Sequence, residues 1–155
     1  MNVYEKLNEL GLKLPEVPAK GGLYTPCKKF AGNCYYVSGC GPQINGHNYI
    51  GKLGKDITLE EGQKAARDCM LNVLSVLESK IGDLNKVKDV IKLLVYVSSD
   101  PEFFFQPQVA NGASGLLKEL FGEEAGLGTR SAIACPVLPG NISVEIEAIF
   151  ETNEE

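Results

Sequence analysis

From Ile142 to Phe150 the chain alternates apolar and polar positions. Ile142, Val144, Ile146, Ala148 and Phe150 share one face, and Ser143, Glu145, Glu147 and Ile149 share the other. That period predicts a β-strand with one face buried. A second apolar run, Ala132 to Leu138, precedes it. Pro139-Gly140-Asn141 lies between the two as a turn signal, so they are expected to pair as a β-hairpin. Glu145 and Glu147 then stand on one strand face, with Arg130 at the head of the partner strand. A guanidinium at a strand entrance fits a carboxylate bidentately. On spacing alone, however, a surface arginine paired with a glutamate suits the pattern better, and such a pair is worth little to stability.

The period changes to that of a helix after Asp56. Thr58 with Glu61 forms a capping box, and Leu59, Gly62, Ala66, Cys69, Val73, Val76 and Leu77 mark one face as far as about Lys80, with Gly82 as the stop. Cys69 lies inside this stripe, so it reads as core rather than as a reactive thiol. Val87 to Ser98 reads as a long strand closed by Ser99-Asp100-Pro101. A second helix is expected over Gln106 to Phe121, with Val109, Ala113, Leu116, Leu117 and Leu120 inward. The run Phe103-Phe104-Phe105 before it cannot face one core in full. Gly122 to Gly128 reads as a flexible connection into the Arg130 strand.

Earlier in the chain, Asn2 to Leu10 has helical spacing at Val3, Leu7 and Leu10, with Gly11 as a C-cap and a loop holding Pro15 and Pro18 beyond it. Strands are expected at Cys27–Phe30 and Cys34–Ser38 around an Ala31-Gly32-Asn33 turn. The second ends at Gly39-Cys40-Gly41-Pro42, where glycine lets backbone bend sharply or approach a ligand, a tight turn being the plainer reading. Gln43 to Lys55 reads as a polar loop with a small hairpin at Asn45-Gly46. The order is β-β-α-β-α-β-β after an N-terminal helix. Both long helices bury one face, so they belong together on one side of a mixed sheet, an α+β two-layer sandwich. The whole chain, 1–155, reads as a single domain, with 1–20 a helical extension of a core at 21–150. The second sheet face also carries apolar residues, and symmetric association would cover it.

At 155 residues the chain can build a core without disulfides or metal. The net charge is −5 and the lysines are scattered, which argues against nucleic acid as a partner. No apolar run reaches membrane-spanning length, and the N-terminus has no signal-peptide pattern, so a cytosolic location is expected. Five cysteines with no Cys-x-x-Cys speak against a disulfide framework or a zinc site. His47 is the single histidine and sits in a glycine-rich loop, where a solvated role is the expectation.

Arg130-Ser131, Val137-Leu138-Pro139 and Val144-Glu145-Ile146-Glu147-Ala148 together resemble the C-terminal signature of the RidA/YjgF family. Gly22-Leu23-Tyr24, Val37-Ser38-Gly39 and the element order match as well, so the resemblance runs from Gly21 to Phe150. It implies a chorismate-mutase-like fold and a homotrimer with ligand clefts between subunits. Relatives of the RidA type hydrolyse enamines and imines such as 2-aminoacrylate to 2-keto acids and ammonia, without a cofactor or metal. Carried over, Arg130 holds the carboxylate of a small metabolite, and Glu145 positions or activates the attacking water. Tyr24 lines the cleft, Ser38 and Gly39 offer backbone to the ligand, and Asn111 faces the same cleft. Ala132 stands where many relatives have cysteine two residues after the arginine. A binding module that returns its carboxylate ligand unchanged is the alternative. Endoribonuclease, a name attached to some relatives, fits the acidic balance and the single histidine less well.

Overall fold

The computed structural model describes residues 2–153. The elements are α1 (Val3–Glu9), β1 (Cys27–Phe30), β2 (Cys34–Cys40), α2 (Leu59–Ile81), β3 (Val87–Ser98), α3 (Gln106–Gly126), β4 (Thr129–Cys135) and β5 (Val144–Thr152), with 3-10 turns at Leu84–Lys86 and Pro139–Asn141. The fold is the α+β sandwich of a mixed sheet that the pattern predicts.

Helix α2 starts and stops where its caps dictate. Glu61 N–H donates to Thr58 Oγ1 at 3.2 Å, and Thr58 N–H donates to Glu61 Oε2 at 2.8 Å. Gly82 ends the helix in the left-handed region (φ 86°). Met70, Leu74 and Leu77 are wholly buried, each worth about 1.5–3 kcal/mol of burial. Cys69 is buried among them, as its place in the stripe predicts. Helix α3 is interrupted at Gly122, and residues 123–126 form a further helical turn with Gly126 buried. The connection expected to be flexible is therefore partly helical and packed. Phe103 packs against the core, while Phe104 and Phe105 stay exposed. Helix α1 docks through buried Val3 and Leu7. Val3 N–H donates to Asn85 Oδ1 at 2.9 Å, and Leu84 N–H donates to the Tyr4 hydroxyl at 3.0 Å.

The sheet order is β1-β2-β5-β3-β4. This overturns the expected hairpin. β5 lies between β2 and β3, antiparallel to both, whereas β4 pairs parallel with β3 at the sheet edge. The reason lies in α3. It carries the chain back from the end of β3, so the next strand runs parallel to β3 along its outer edge. Only the inner edge of β3 is left for β5. Pro139–Asn141 thus turns inside a segment crossing the end of β3, not between paired strands. That segment is pinned by its neighbours: Lys52 Nζ donates to the Pro136 carbonyl, and Gly51 N–H donates to the Asn141 carbonyl at 2.9 Å. The alternation of β5 itself is observed, with Val144, Ile146, Ala148 and Phe150 buried and Glu145, Glu147 and Ile149 half-buried.

Helices α2 and α3 cover the face carrying those buried residues together with Leu93, Val95 and Val97 of β3. The other face is open. Phe30, Tyr36 and Ile133 are exposed there, beside half-buried Leu94, Tyr96 and Ile149. Among the described residues no helix is long and apolar enough to cross a membrane.

Candidate functional site

The open face of β5 presents two carboxylates in different surroundings. Glu147 is clamped from both sides. The Tyr96 hydroxyl of β3 donates to its Oε1 at 2.8 Å, and the Tyr36 hydroxyl of β2 donates to its Oε2 at 3.0 Å. These bonds hold both phenols protonated: Tyr36 is raised, and Tyr96 is pushed up to about 12, in each case first by its bond to Glu147. Glu145 has no hydrogen-bond or ion-pair partner among the described residues. Burial, then the charge of Glu147, raise its pKa above the ordinary carboxylate value. A carboxylate with its lone pairs unused and its basicity raised is suited to accept a proton.

Backbone approaches Glu145 because β2 bulges. Val37 pairs with Ala148 and Cys40 with Ile146, three steps on one strand against two on the other. Gly39 lies in this bulge, and a Cβ there would come within 3.0 Å of Glu145 Cδ. Its bare backbone thus lets the carboxylate lie over the strand. Ser38 fixes the bulge to the loop before β1. Its N–H donates to the Pro26 carbonyl at 2.9 Å and its Oγ to the Thr25 carbonyl at 2.8 Å. Tyr24 comes from the same loop, its hydroxyl accepting from Gly21 N–H at 3.2 Å. Tyr24, Ser38, Gly39, Tyr96, Glu145 and Glu147 line one open recess of about 480 Å³.

Arg130 is elsewhere. On β4 it pairs with Leu93, whose side chain is buried beneath the helices, so Arg130 lies on the helix side of the sheet. Its Nη1 donates to Asn111 Oδ1 at 2.8 Å and to Ser114 Oγ at 3.1 Å, both on α3. These bonds occupy one nitrogen and leave the Nε and Nη2 donors without a partner among the described residues. Arg130 is exposed and has no ion pair among the described residues, so the surface Arg–Glu pair is not formed there. The six residues singled out from the sequence therefore fall into two groups. Tyr24, Ser38, Gly39 and Glu145 meet in the recess; Arg130 and Asn111 meet on the opposite face of the sheet. The expectation that Arg130 heads the strand beside Glu145 fails because β3 intervenes.

Cysteine and histidine do not supply a nucleophile to the recess. The Cys40 thiol is pushed up to about 12 and that of Cys135 upward, in each case by burial and then by the charge of Glu145. His47 is exposed in its loop, edge-on to Tyr49 at 4.9 Å. Among the described residues no three His, Cys, Asp or Glu side chains are placed to hold a metal ion.

A family model described as "YjgF/chorismate mutase-like, putative endoribonuclease" matches residues 5–151. The chain belongs to this YjgF family. A curated relative, Protein TCP17 of Trypanosoma cruzi, is 42% identical over 154 residues, covering 97% of this chain and 94% of that protein. Two crystal structures span nearly the full length. A protein of unknown function from Agrobacterium tumefaciens is 39% identical with a TM-score of 0.88, covering 98% of this chain and 92% of its own. An endoribonuclease, so named provisionally, from Shewanella oneidensis is 34% identical with a TM-score of 0.92, covering 97% and 99%. Escherichia coli TdcF, crystallised with bound serine, shares the fold at 21% identity and a TM-score of 0.63, covering 89% and 94%.

In this YjgF-family chain three contributors escape a reading of the sequence. The Glu147 clamp needs Tyr36 and Tyr96 from strands distant in sequence; their mid-strand places on the open face are the one signal. Ser114 stands three residues after Asn111, a spacing that puts both on one face of α3 and could have been read.

Proposed function

We propose that the protein hydrolyses small 2-imino acids and their enamine tautomers, 2-aminoacrylate among them, to 2-keto acids and ammonia. The site is completed between two protomers of a trimer, in the cytosol. One observation carries this reading: an unpaired carboxylate of raised basicity on one face of the sheet, and an arginine with its fork free on the other. Neither group alone suits the reaction. Brought together by a neighbouring protomer, they make a carboxylate clamp and a base. The exposed Phe30, Tyr36 and Ile133 of the open face give that neighbour an apolar surface to cover.

The chemistry follows from the groups. Arg130, its Nη1 held by Asn111 and Ser114, offers Nε and Nη2 to the substrate carboxylate. The imine carbon then lies where water between it and Glu145 is lined up for attack, which removes much of the orientational cost. Glu145 takes a proton from that water as oxygen bonds to carbon and passes it to the nitrogen, which gives the carbinolamine. Glu145 then takes the hydroxyl proton as the carbonyl forms and delivers it to the amine as the C–N bond breaks, so ammonia leaves and the carboxylate is restored. The balance is R–C(=NH)–COO⁻ plus H₂O to R–CO–COO⁻ plus NH₃, with no cofactor needed. Base catalysis contributes about 10²–10⁴-fold in such steps.

The test is keto-acid release from 2-aminoacrylate generated in situ. Wild type should accelerate it, and Arg130→Ala and Glu145→Gln should each remove most of the gain. Carboxylate binding without acceleration would replace catalysis by the binding-module reading. RNA cleavage independent of Arg130 would favour the endoribonuclease name; the two carboxylates in the recess and the net charge of −5 weigh against a phosphate-rich ligand.

A further inference from the structure

Behind the Ser38-Gly39 bulge lies a second, narrower chamber of about 190 Å³. It shares Gly21, Tyr24, Ser38 and Gly39 with the recess beside Glu145, so the two spaces adjoin. Its remaining walls are mainly apolar: Pro18, Ala19, Pro26, Cys40 and Val76. Cys40 is buried, and its protonated thiol acts as an apolar surface at neutral pH. Lys20 is the one charged residue along the wall, and it is exposed.

The far wall is built by chain that precedes the first strand, and that chain is fixed in place. Beyond the docked helix α1, Leu12 N–H donates to the Leu7 carbonyl at 2.8 Å. Ser75 Oγ then donates to the Pro15 carbonyl at 2.5 Å, one residue before Val76 on α2. Residues Pro18 to Lys20 are thereby held over Val76. The N-terminal segment is thus a built wall of a chamber adjoining the candidate site.

We infer that this chamber receives the substrate's side chain, so that the protein prefers 2-imino acids with aliphatic side chains to the short 2-aminoacrylate. The inference rests on the function proposed above. An imine carbon has three substituents. Its carboxylate is directed to Arg130 and its nitrogen and water to Glu145, which leaves the third toward the bulge where the chamber adjoins. The chamber has room for about six water volumes, enough for a branched four-carbon group. Lys20, the one cation along its walls, is exposed to solvent, and burial against the apolar walls favours an aliphatic side chain.

The stable keto-acid products test this by calorimetry on the full-length assembled protein. Wild type should bind 4-methyl-2-oxopentanoate at least about ten-fold more tightly than pyruvate. Ala19→Phe fills the chamber from its exposed loop and Val76→Met from the helix. Each should reduce that preference about ten-fold while leaving pyruvate within about two-fold. Equal affinities in wild type overturn the inference, as does a variant that weakens both acids alike or a failure of either acid to bind. Imine hydrolysis indifferent to side-chain length would also overturn it while leaving the proposed function standing. Chamber-dependent binding without hydrolysis would support it and remove the deaminase reading instead.

Discussion

Replacing Gly39 by alanine asks whether the bulge serves the base or the fold. The added Cβ would stand 3.0 Å from Glu145 Cδ and 3.2 Å from its Cγ and Oε1, whereas ordinary contact begins at 3.4 Å. The carboxylate must therefore retreat by about 0.4 Å, the difference between 3.4 and 3.0. Gly39 is not among the glycines with positive φ, so alanine brings no backbone strain. Glu145 is free at its carboxylate end, so the shift costs about 0.5–1.5 kcal/mol of side-chain strain. Catalysis is less tolerant. A misplacement of about 1 Å costs roughly 10²-fold, so a shift of this size should lower kcat about ten-fold. KM should hardly change, because Arg130 lies on the other face of the sheet and is untouched. The assay is keto-acid release alongside urea denaturation. Full activity would refute the reasoning. So would a stability loss above about 3 kcal/mol, which would make Gly39 a residue of the fold rather than of the site.

Glu145 also links stability to pH. Its raised pKa means that the native state holds this proton more tightly than the unfolded chain does. Its favourable contribution is present below the unfolded pKa and lost as pH rises through the folded one. Glu145→Gln should therefore stabilise the protein at neutral pH, with the difference closing below about pH 4 in urea titrations at several pH values. A difference that persists in acid contradicts the sign. The same ionisation sets the acid limb of kcat/KM, which should lie above the usual carboxylate range. Glu147→Gln removes the charge beside Glu145 and replaces one of the two oxygens that accept from Tyr36 and Tyr96 by an NH2 donor. The acid limb should move down, and Tyr96 should titrate nearer the ordinary 10 than its present value of about 12, readable by absorbance. Thr58→Ala opens the capping box of α2 and should cost about 1 kcal/mol in thermal unfolding; no change would mean that packing alone sets that end.

The local elements were legible because local physics decides them. Thr58, Glu61 and Gly82 fix the ends of α2, and the Ser99-Asp100-Pro101 stop closes β3 where expected. Asn45-Gly46 makes its small hairpin through paired backbone bonds between Ile44 and His47 at 2.9 Å. The neighbour of β5 was not legible. Two apolar runs around Pro139-Gly140-Asn141 look like a hairpin, and nothing nearby in sequence records that α3 has already committed β3 to a parallel partner. Strand order is a competition for edges, and the competitors are far apart in the chain. The site shows the same division. Alternation puts Glu145 and Glu147 on one face, but it does not say that Tyr36 and Tyr96 will clamp one and leave the other free. Nor does it show that Arg130, on the parallel edge strand, faces the helices while Glu145 faces away from them.

Mixing two inactive variants tests most directly whether a neighbouring protomer brings these two faces together. Arg130→Ala keeps an intact Glu145, and Glu145→Gln keeps an intact Arg130. In a trimer whose clefts take one group from each neighbour, every mixed assembly holds one intact cleft of three. Co-assembly at equal amounts makes about three quarters of the trimers mixed, so about one quarter of wild-type activity should return. A co-assembled mixture no more active than its parents would show that the arginine and the carboxylate do not meet across an interface.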